Sequence, residues 1–425
     1  MEKKLAICIP TWKRPLTIEK VLTQEEPYLS DNGIDVHIYD SSPDDETLKV
    51  SRKFNEKFCN IYYHRVDERI PSNEKFFDIC GEIAKTDYQY MWFIQDHLQF
   101  SQSACDHIVK QLDMNGDFYY LDILNSEYSS VIENDLKQFA VEYTWMMIRF
   151  GITILNVQTF LKDFNTEQAK EQWLKEKTYA FSHVGYILQR LSEMKDPRII
   201  RMKFARESFL DISRSQHLSW EKEKLQFCLE TWGSMIVNLP DYYNPVKGEI
   251  LQNQDELFLS DTVLLMMKKN GSYTKDDYLT YEKWIKMTFP RRAEKFRQIA
   301  LLPYDEAEKV CLGNVINEIN EAKKNNTKIF IYGAGKHASE FADYLIKNRM
   351  EFYGFVVTKA EGNPKKLYDH NVYCAEDVLT DGALLVLLAV EKSQIDDIRN
   401  YINTFNNEQI KCISLADEIH GRENK

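Results

Sequence analysis

The chain has 425 residues, of which 54 are Lys or Arg and 66 are Asp or Glu, so its net charge is −12. This length exceeds the size at which a single hydrophobic core stops growing, so we expect two or three domains. The acidic balance argues against general nucleic-acid binding, which needs a basic surface. The eight cysteines are widely spaced without a CxxC pair, which argues against zinc-ribbon and thioredoxin-type sites.

The first predicted strand runs into a loop of hydroxyl and basic side chains. Residues 5–9 are an apolar run of strand length, and we expect Pro10 to end the ladder because it has no N–H to donate. Thr11, Lys13 and Arg14 follow. Because open α/β sheets bind ligands beyond the carboxyl ends of their strands, these side chains favour an anionic ligand such as a nucleotide diphosphate. An ordinary strand followed by a solvated basic turn fits the same residues.

The alternation of strands and helices continues beyond this loop. Strands are predicted at 34–39, 59–64 and 90–94, and a helix is predicted at 76–84. Asp40 and Ser41 follow the second strand, where a carboxylate can accept a hydrogen bond from a uracil ring or a ribose hydroxyl. The fourth strand ends in Gln95, Asp96 and His97. The order is strand, basic loop, strand, acidic loop, strand, helix, strand, acidic end.

Residues 4–100, with a weaker extension to about residue 235, resemble the family 2 glycosyltransferases of the GT-A fold. The resemblance rests on Pro10 and Thr11 at the end of the first strand and on Asp40, at the position of the family's base-contacting Asp. The family's DxD motif, which closes a hydrophobic strand, is represented by a single carboxylate, Asp96, between Gln95 and His97.

The resemblance implies a site for a nucleotide sugar and, at the DxD position, for a divalent cation. The residues implied in nucleotide-sugar binding are Pro10, Thr11, Arg14, Asp40, Ser41, Asn73, Lys75 and Gln95. Asp96 and His97 are implied as ligands of a metal on the pyrophosphate; a carboxylate with an imidazole suits Mn²⁺, whereas Mg²⁺ prefers oxygen ligands. The implied activity is transfer of a sugar from a UDP-sugar to a hydroxyl of a cell-surface glycan or lipid-linked acceptor, with inversion.

The middle of the chain offers a candidate base and a basic cluster. Strands are predicted at 118–124 and 145–156, and a helix at 168–194. His183 lies where the resembled family carries its acidic base motif, and imidazole titrates in the range that proton abstraction needs. A metal ligand and a histidine packed inside a helix face are the alternatives. The cluster Pro290–Arg297 is interpreted either as facing phospholipid or a lipid-diphosphate acceptor, or as a solvated helix face.

A glycine-rich turn marks the C-terminal region. The predicted strand 328–332 leads through a GxGxxA turn into a helix at 339–347, the context of a Rossmann fingerprint, so Gly333 and Gly335 are candidates for a phosphate loop. Thr358 and Lys359 stand where a ribose-binding carboxylate is usual, which disfavours a dinucleotide. Residues 326–415 resemble the small Rossmann-like domains attached to bacterial surface-polysaccharide enzymes.

The sequence therefore predicts an α/β protein of three parts. These are a GT-A-like nucleotide-sugar-binding domain at 1–235, a helical connecting or acceptor region at 236–310, and a small Rossmann-like parallel sheet at 311–425. With no signal peptide recognised and no apolar stretch of membrane-spanning length, we expect a cytoplasmic protein, with contact at the inner membrane face and homo-oligomerisation left open. Two other functions stay open: a non-catalytic nucleotide-sugar or glycan-binding protein, and an NAD-dependent sugar-modifying enzyme that uses the C-terminal domain.

Overall fold

Apolar strands and amphipathic helices alternate along the chain and form two compact units. The computed structural model describes residues 4–66, 70–125, 127–212, 223–390 and 394–415. The first unit comprises Met1–Glu221 and Thr231–Asn253, and the second comprises Lys222–Glu230 and Gln254–Lys425. The predicted α/β fold class, with a large sheet domain, a helical middle region and a small C-terminal sheet, is confirmed.

The first unit is built on a mixed sheet of eight strands. Its strands are β1 (Leu5–Thr11), β2 (Asp35–Asp40), β3 (Ile61–Arg65), β4 (Tyr90–Phe93), β6 (Phe118–Asn125), β7 (Ser129–Glu133), β8 (Thr153–Asn156) and β9 (Ile199–Ala205). The spatial order is β3-β2-β1-β4-β8-β6-β9-β7. Strands β3, β2, β1 and β4 are parallel, and β8 is antiparallel to β4 and β6. A separate antiparallel pair joins β5 (Leu98–Phe100) to β10 (Phe209–Asp211).

Nine α-helices of the first unit lie in its described residues. They are α1 (Pro15–Asp31), α2 (Glu46–Phe58), α3 (Ser72–Ile83), α4 (Gln102–Leu112), α5 (Leu136–Tyr143), α6 (Thr166–Trp173), α7 (Ser182–Glu193), α8 (Trp232–Val237) and α9 (Lys247–Gln252). The single helix predicted over 168–194 is two helices, because the Thr178 hydroxyl donates to the Trp173 carbonyl at 2.8 Å and closes the end of α6. Likewise, the strand predicted over 145–156 forms only at Thr153–Asn156, after a short 3₁₀ turn at Met146–Ile148.

Strand β1 continues one residue beyond Pro10, which the sequence predicted to end it. Pro10 pairs with Tyr39 and Thr11 with Asp40 in the parallel register with β2. The carbonyl of Cys8 accepts from Ile94 N, on the β4 side. Main-chain groups of residues two apart point to the same side of a strand, so those of Pro10 point to the same side as those of Cys8. The missing N–H of Pro10 therefore faces the β4 side, where strand pairing stops at Cys8, and no ladder bond with β2 is lost.

The second unit joins a helical layer to a six-stranded sheet. Its helices are α10 (Asp261–Lys269), α11 (Lys275–Thr288), α12 (Ala293–Leu301), α13 (Tyr304–Lys324), α14 (Lys336–Lys347), α15 (Ala375–Val378) and α16 (Ile395–Asn403). Its strands are β11 (Lys328–Tyr332), β12 (Gly354–Val357), β13 (Lys366–Leu367), β14 (His370–Cys374), β15 (Leu384–Leu388) and β16 (Ile410–Ser414). In the order β13-β14-β12-β11-β15-β16 all pairs are parallel except β13 with β14.

Two features of the second unit bear on the sequence-based expectations. The three-part division at residues 235 and 310 stays a prediction, and residue 310 lies inside α13. The basic cluster is largely neutralised: Arg292 is buried, 2.9 Å from Asp261, and Lys295 lies 2.8 Å from the same carboxylate. Arg297 pairs with Glu294 at 2.7 Å.

Among the described helices, none combines the length and the apolar character that a membrane crossing requires.

Candidate functional site

The candidate site lies at the carboxyl ends of three neighbouring parallel strands. Because β2, β1 and β4 run in the same direction, Thr11, Asp40 and the segment after Phe93 meet at one edge of the sheet. Ligands of open α/β sheets bind at such an edge. The structure thus brings together side chains that lie up to 86 residues apart in the chain, from Thr11 to His97.

Asp96 is the centre of the hydrogen-bonded cluster. Its Oδ2 accepts from the Thr11 hydroxyl at 2.8 Å, and its Oδ1 accepts from Arg14 Nη1 at 2.8 Å and lies 3.0 Å from His97 Nδ1. Burial by itself raises the pKa of this carboxyl, but the hydrogen bond from His97, the charge of Arg14 and the bond from Thr11 together hold the pKa below its usual value. Asp96 is therefore an anion fixed by three donors.

The side chains around Asp96 do not fit a divalent cation shared with His97. Arg14 Nη1 lies 2.8 Å from Asp96 Oδ1 and 3.2 Å from His97 Nδ1, so a guanidinium already stands beside both predicted ligands. Arginine stays protonated in proteins, and a metal at this place would meet its positive charge. No cluster of three or more His, Cys, Asp or Glu side chains suited to a metal occurs within the described ranges. The divalent-metal site, for Mn²⁺ or Mg²⁺, that the sequence predicts at Asp96 and His97 therefore does not fit the side chains present.

Lys75 connects the ends of β1 and β2 through hydrogen bonds of its ammonium group. Its Nζ donates to the Thr11 carbonyl at 3.0 Å and to Ser41 Oγ at 2.7 Å, and the side chain is buried. Burial lowers the pKa of the ammonium to about 8, against the opposing attraction of Asp40 and Asp96. Lys75 comes from the first turn of α3, and it supplies positive charge beneath the strand ends.

Asp40 is fully buried and already well supplied with donors. Its Oδ1 accepts from Ser42 N at 2.9 Å and from Ser42 Oγ at 2.5 Å, and its Oδ2 accepts from the Tyr63 hydroxyl at 2.9 Å. Arg65 Nη1 lies 3.9 Å from Oδ2. A carboxylate offers about four lone-pair positions, so these three hydrogen bonds leave about one position at Asp40 for a contact with uracil. The role predicted for Asp40 stays a prediction, and the structure gives it a second task, that of shaping the loop after β2.

The other predicted donor-site residues occupy different surroundings. Pro10 is a buried residue of β1, and Gln95 is a partly buried residue of the turn between β4 and β5. Asn73 lies in the first turn of α3, where its Nδ2 donates to the Tyr179 carbonyl at 2.7 Å. Asn73 therefore holds the 3₁₀ turn at Tyr179–Phe181.

His183 is buried in the core of the first unit, among aromatic side chains. Its Nε2 donates to the Met147 carbonyl at 3.1 Å, and its ring packs against Phe150 and Phe76 at centroid distances of 4.1 and 5.9 Å. Burial lowers its pKa to about 4, only partly offset by that hydrogen bond. A buried imidazole of this pKa is a weak base for a substrate hydroxyl, so the packing alternative fits the observed surroundings best.

A carboxylate that the sequence analysis did not single out lies beside the cluster. Asp211 Oδ1 is 3.9 Å from His97 Nε2, and 62% of the Asp211 side chain is exposed. The antiparallel pair β5–β10 places it opposite Leu98. Only this pairing reveals Asp211, because 114 residues separate it from His97 and no local motif surrounds it.

The glycine-rich turn of the second unit has the conformation expected of it. Gly333 has φ +116°, and a Cβ there would lie 3.0 Å from the Ala389 carbonyl oxygen, so glycine is needed. Gly335 is the N-cap of α14. In the first turn of that helix, His337 already has two acidic partners, because it lies 3.5 Å from Asp255 and 3.8 Å from Glu340. Despite burial, hydrogen bonds to those two carboxylates raise the pKa of His337 to about 9.

Comparison with known proteins gives structural likenesses of low similarity. No family model matches the chain, and no curated protein matches it. Similar solved structures include S. aureus TarS 1–349, at 12% identity and TM-score 0.45, covering 76% of this chain and 92% of that one. TarS 1–349 has also been solved with UDP and with UDP-GlcNAc.

Two further similar structures are those of a mannosyltransferase and of a glucosyl-3-phosphoglycerate synthase. The mannosyltransferase PcManGT from Pyrobaculum calidifontis, solved with GDP-Man and Mn²⁺, is 11% identical at TM-score 0.37, covering 75% of this chain and 88% of that one. The glucosyl-3-phosphoglycerate synthase from Mycobacterium tuberculosis, solved with Mn²⁺, UDP and glucosyl-3-phosphoglycerate, is 12% identical at TM-score 0.37, covering 56% and 81%. At these TM-scores, the functional case depends on the residues described above.

Proposed function

We propose that this chain is a glycosyltransferase that uses a nucleoside diphosphate sugar as donor. The observation that carries the proposal is the convergence of Thr11, Arg14, Lys75 and Asp96 at the carboxyl ends of β1 and β4. A hydroxyl with two cations suits a diphosphate, and the edge of a parallel sheet is where such ligands bind. The loop after β2, shaped by Asp40, is the proposed place for the base and ribose.

The proposed reaction moves the sugar from UDP to an acceptor hydroxyl with inversion at the anomeric carbon. The bond between that carbon and the β-phosphate oxygen breaks, UDP leaves, and the acceptor oxygen forms the new glycosidic bond. A nearby base takes the hydroxyl proton. For this role we favour Asp211 over His183, because Asp211 is exposed beside His97 while His183 is enclosed by Phe76 and Phe150. The proposed acceptor is a cell-surface glycan or lipid-linked sugar.

A non-catalytic nucleotide-sugar-binding protein is the second candidate. The single carboxylate at Asp96, already engaged by three donors, favours it, because catalytic sites usually keep a group available to the reacting atoms.

One experiment separates the two candidates. The full chain is incubated with a panel of UDP- and GDP-sugars, and the release of the nucleoside diphosphate is measured alongside the binding of UDP by calorimetry. Release that depends on Asp211 supports the transferase. Tight UDP binding without release from any donor, with or without added acceptor glycans, supports the binding protein. If neither UDP nor GDP binds, both candidates fail.

A further inference from the structure

Arg14 occupies the position that a metal ion would need. Its Nη1 lies within hydrogen-bond distance of Asp96 Oδ1, at 2.8 Å, and 3.2 Å from His97 Nδ1. These are the two groups that the sequence offers as metal ligands. A divalent ion bridging them would displace the guanidinium or stand directly against it, and two cations so close repel strongly.

The oxygens of Asp96 already accept hydrogen bonds from side chains of the protein. Thr11 donates to Oδ2 at 2.8 Å, while Arg14 and His97 both meet Oδ1. The neighbour on the other side, Gln95, is neutral, so Asp96 is the one carboxylate of the segment Gln95–His97. A hard divalent cation is usually held by two or more carboxylates or by phosphates with several waters. One carboxylate shared with a guanidinium provides neither the charge nor the open ligand positions.

Arg14 also lies where a helix N-terminus and a second cation contribute positive electrostatic potential. It is the N-cap of α1, a helix of 17 residues with Pro15 in its first turn and no acidic side chain there. The N–H groups of a helix N-terminus favour an anion. With 33% of its side chain exposed, Arg14 reaches solvent while Asp96 beneath it is buried. Lys75 adds a buried positive charge at the same strand end.

Building on the proposed function, we propose that the diphosphate of the donor is neutralised by Arg14, supported by Lys75 and the N-terminus of α1, and that donor binding needs no divalent metal. Asp96 then acts as a positioning residue that holds Arg14. During transfer the guanidinium stabilises the negative charge that develops on the leaving diphosphate. The substrate class is unchanged, but the cation is a side chain of the protein.

The test is the affinity of the full chain for UDP, measured by calorimetry in excess EDTA and in excess MnCl₂. We expect the two dissociation constants to agree within about threefold, whereas a required metal typically changes affinity far more. Arg14→Gln should weaken UDP binding roughly 10- to 100-fold in both buffers, the loss expected for a charge-assisted bond to phosphate. Its effect on uridine, which has no phosphate, should be small.

Two further variants sharpen the comparison. Arg14→Lys keeps a cation and should recover part of the affinity, although it lacks the planar fork. Lys53→Gln removes an exposed cation of α2 that pairs with Glu19, and it should leave UDP affinity unchanged. Circular dichroism and thermal melts verify that each variant is folded.

Each result decides between distinct conclusions. UDP binding that appears only with Mn²⁺ overturns the metal-free site, and UDP binding that is insensitive to Arg14→Gln overturns the role of Arg14. Either result leaves the proposed glycosyltransferase standing. Absence of UDP and GDP binding in both buffers overturns the proposed function and this inference together. Equal affinity in EDTA and MnCl₂ with a selective loss in Arg14→Gln supports both.

Discussion

Replacing Asp96 by Asn tests whether the centre of the site is a charged anchor. The amide can turn its oxygen toward Arg14 and His97 and its NH₂ toward the Thr11 hydroxyl, which can accept as well as donate. The number of hydrogen bonds is then kept and only the charge is lost. A bond to a charged partner contributes about 1.5–3 kcal/mol and a neutral bond about 0.5–1.5 kcal/mol, so we expect Asp96→Asn to lower the free energy of unfolding by about 1–2 kcal/mol.

The assay is urea unfolding at pH 7, followed by a double-mutant cycle with Arg14→Gln. For a unit of this size, the expected loss corresponds to a melting temperature lower by about 2–8 °C. The matched control is Asp211→Asn, whose carboxylate is 62% exposed and 3.9 Å from His97 Nε2; a surface change of this kind stays within about 0.5 kcal/mol. The cycle should return a coupling between Asp96 and Arg14 of about 1 kcal/mol or more.

The pH dependence follows from the sign of the pKa shift. Because the pKa of Asp96 is lowered in the folded protein, its charged form stabilises the fold above the unfolded pKa, and this contribution is lost as pH falls through the folded pKa. The difference between wild type and Asp96→Asn should therefore be constant between about pH 5 and 8 and shrink below about pH 4. A coupling near zero, or a variant as stable as Asp211→Asn, would refute the role of Asp96 as anchor.

Four other changes test the remaining roles. Asp40→Asn should weaken UDP binding by roughly 10-fold or more if Asp40 contacts the base, measured by calorimetry after a melt confirms folding; an unchanged dissociation constant removes it from the site. His183→Phe should retain sugar transfer within about threefold because the ring is packed between aromatic side chains, and a drop of about a hundredfold or more in kcat would restore it as the base. Asp211→Asn should lower kcat by about 10²-fold or more while leaving the Kd of UDP unchanged, and equal loss of both parameters contradicts the proposal. The pKa of Lys75 is lowered to about 8, so the folded state releases this proton before the unfolded state does; stability should gain from Lys75 between about pH 8 and 10.4, and Lys75→Met should abolish that gain in denaturant titrations.

Local features of the sequence were sufficient to locate the strand ends of the site. The apolar run before Pro10, the turn-forming cluster after Asp40 and the apolar strand before Asp96 are each read from a few consecutive residues. The same holds for Gly333, because a tight turn between strand and helix requires its positive φ. Parallel pairing of β1 with β2 and β4 then brings these ends together, as the pattern of alternating strands and helices implies.

Only the tertiary structure decided which of these side chains meet and which are enclosed. His183 looks like a base in a helical sequence, but helix α7 turns it into the core against Phe150. No feature of the local sequence marks Asp211, which comes near His97 because β10 pairs with β5. The guanidinium of Arg14 lies against Asp96 through a contact between residues 82 positions apart. The physical reason is that local periodicity reports which face of an element is apolar, whereas strand register and helix packing between distant segments depend on the burial of the whole core.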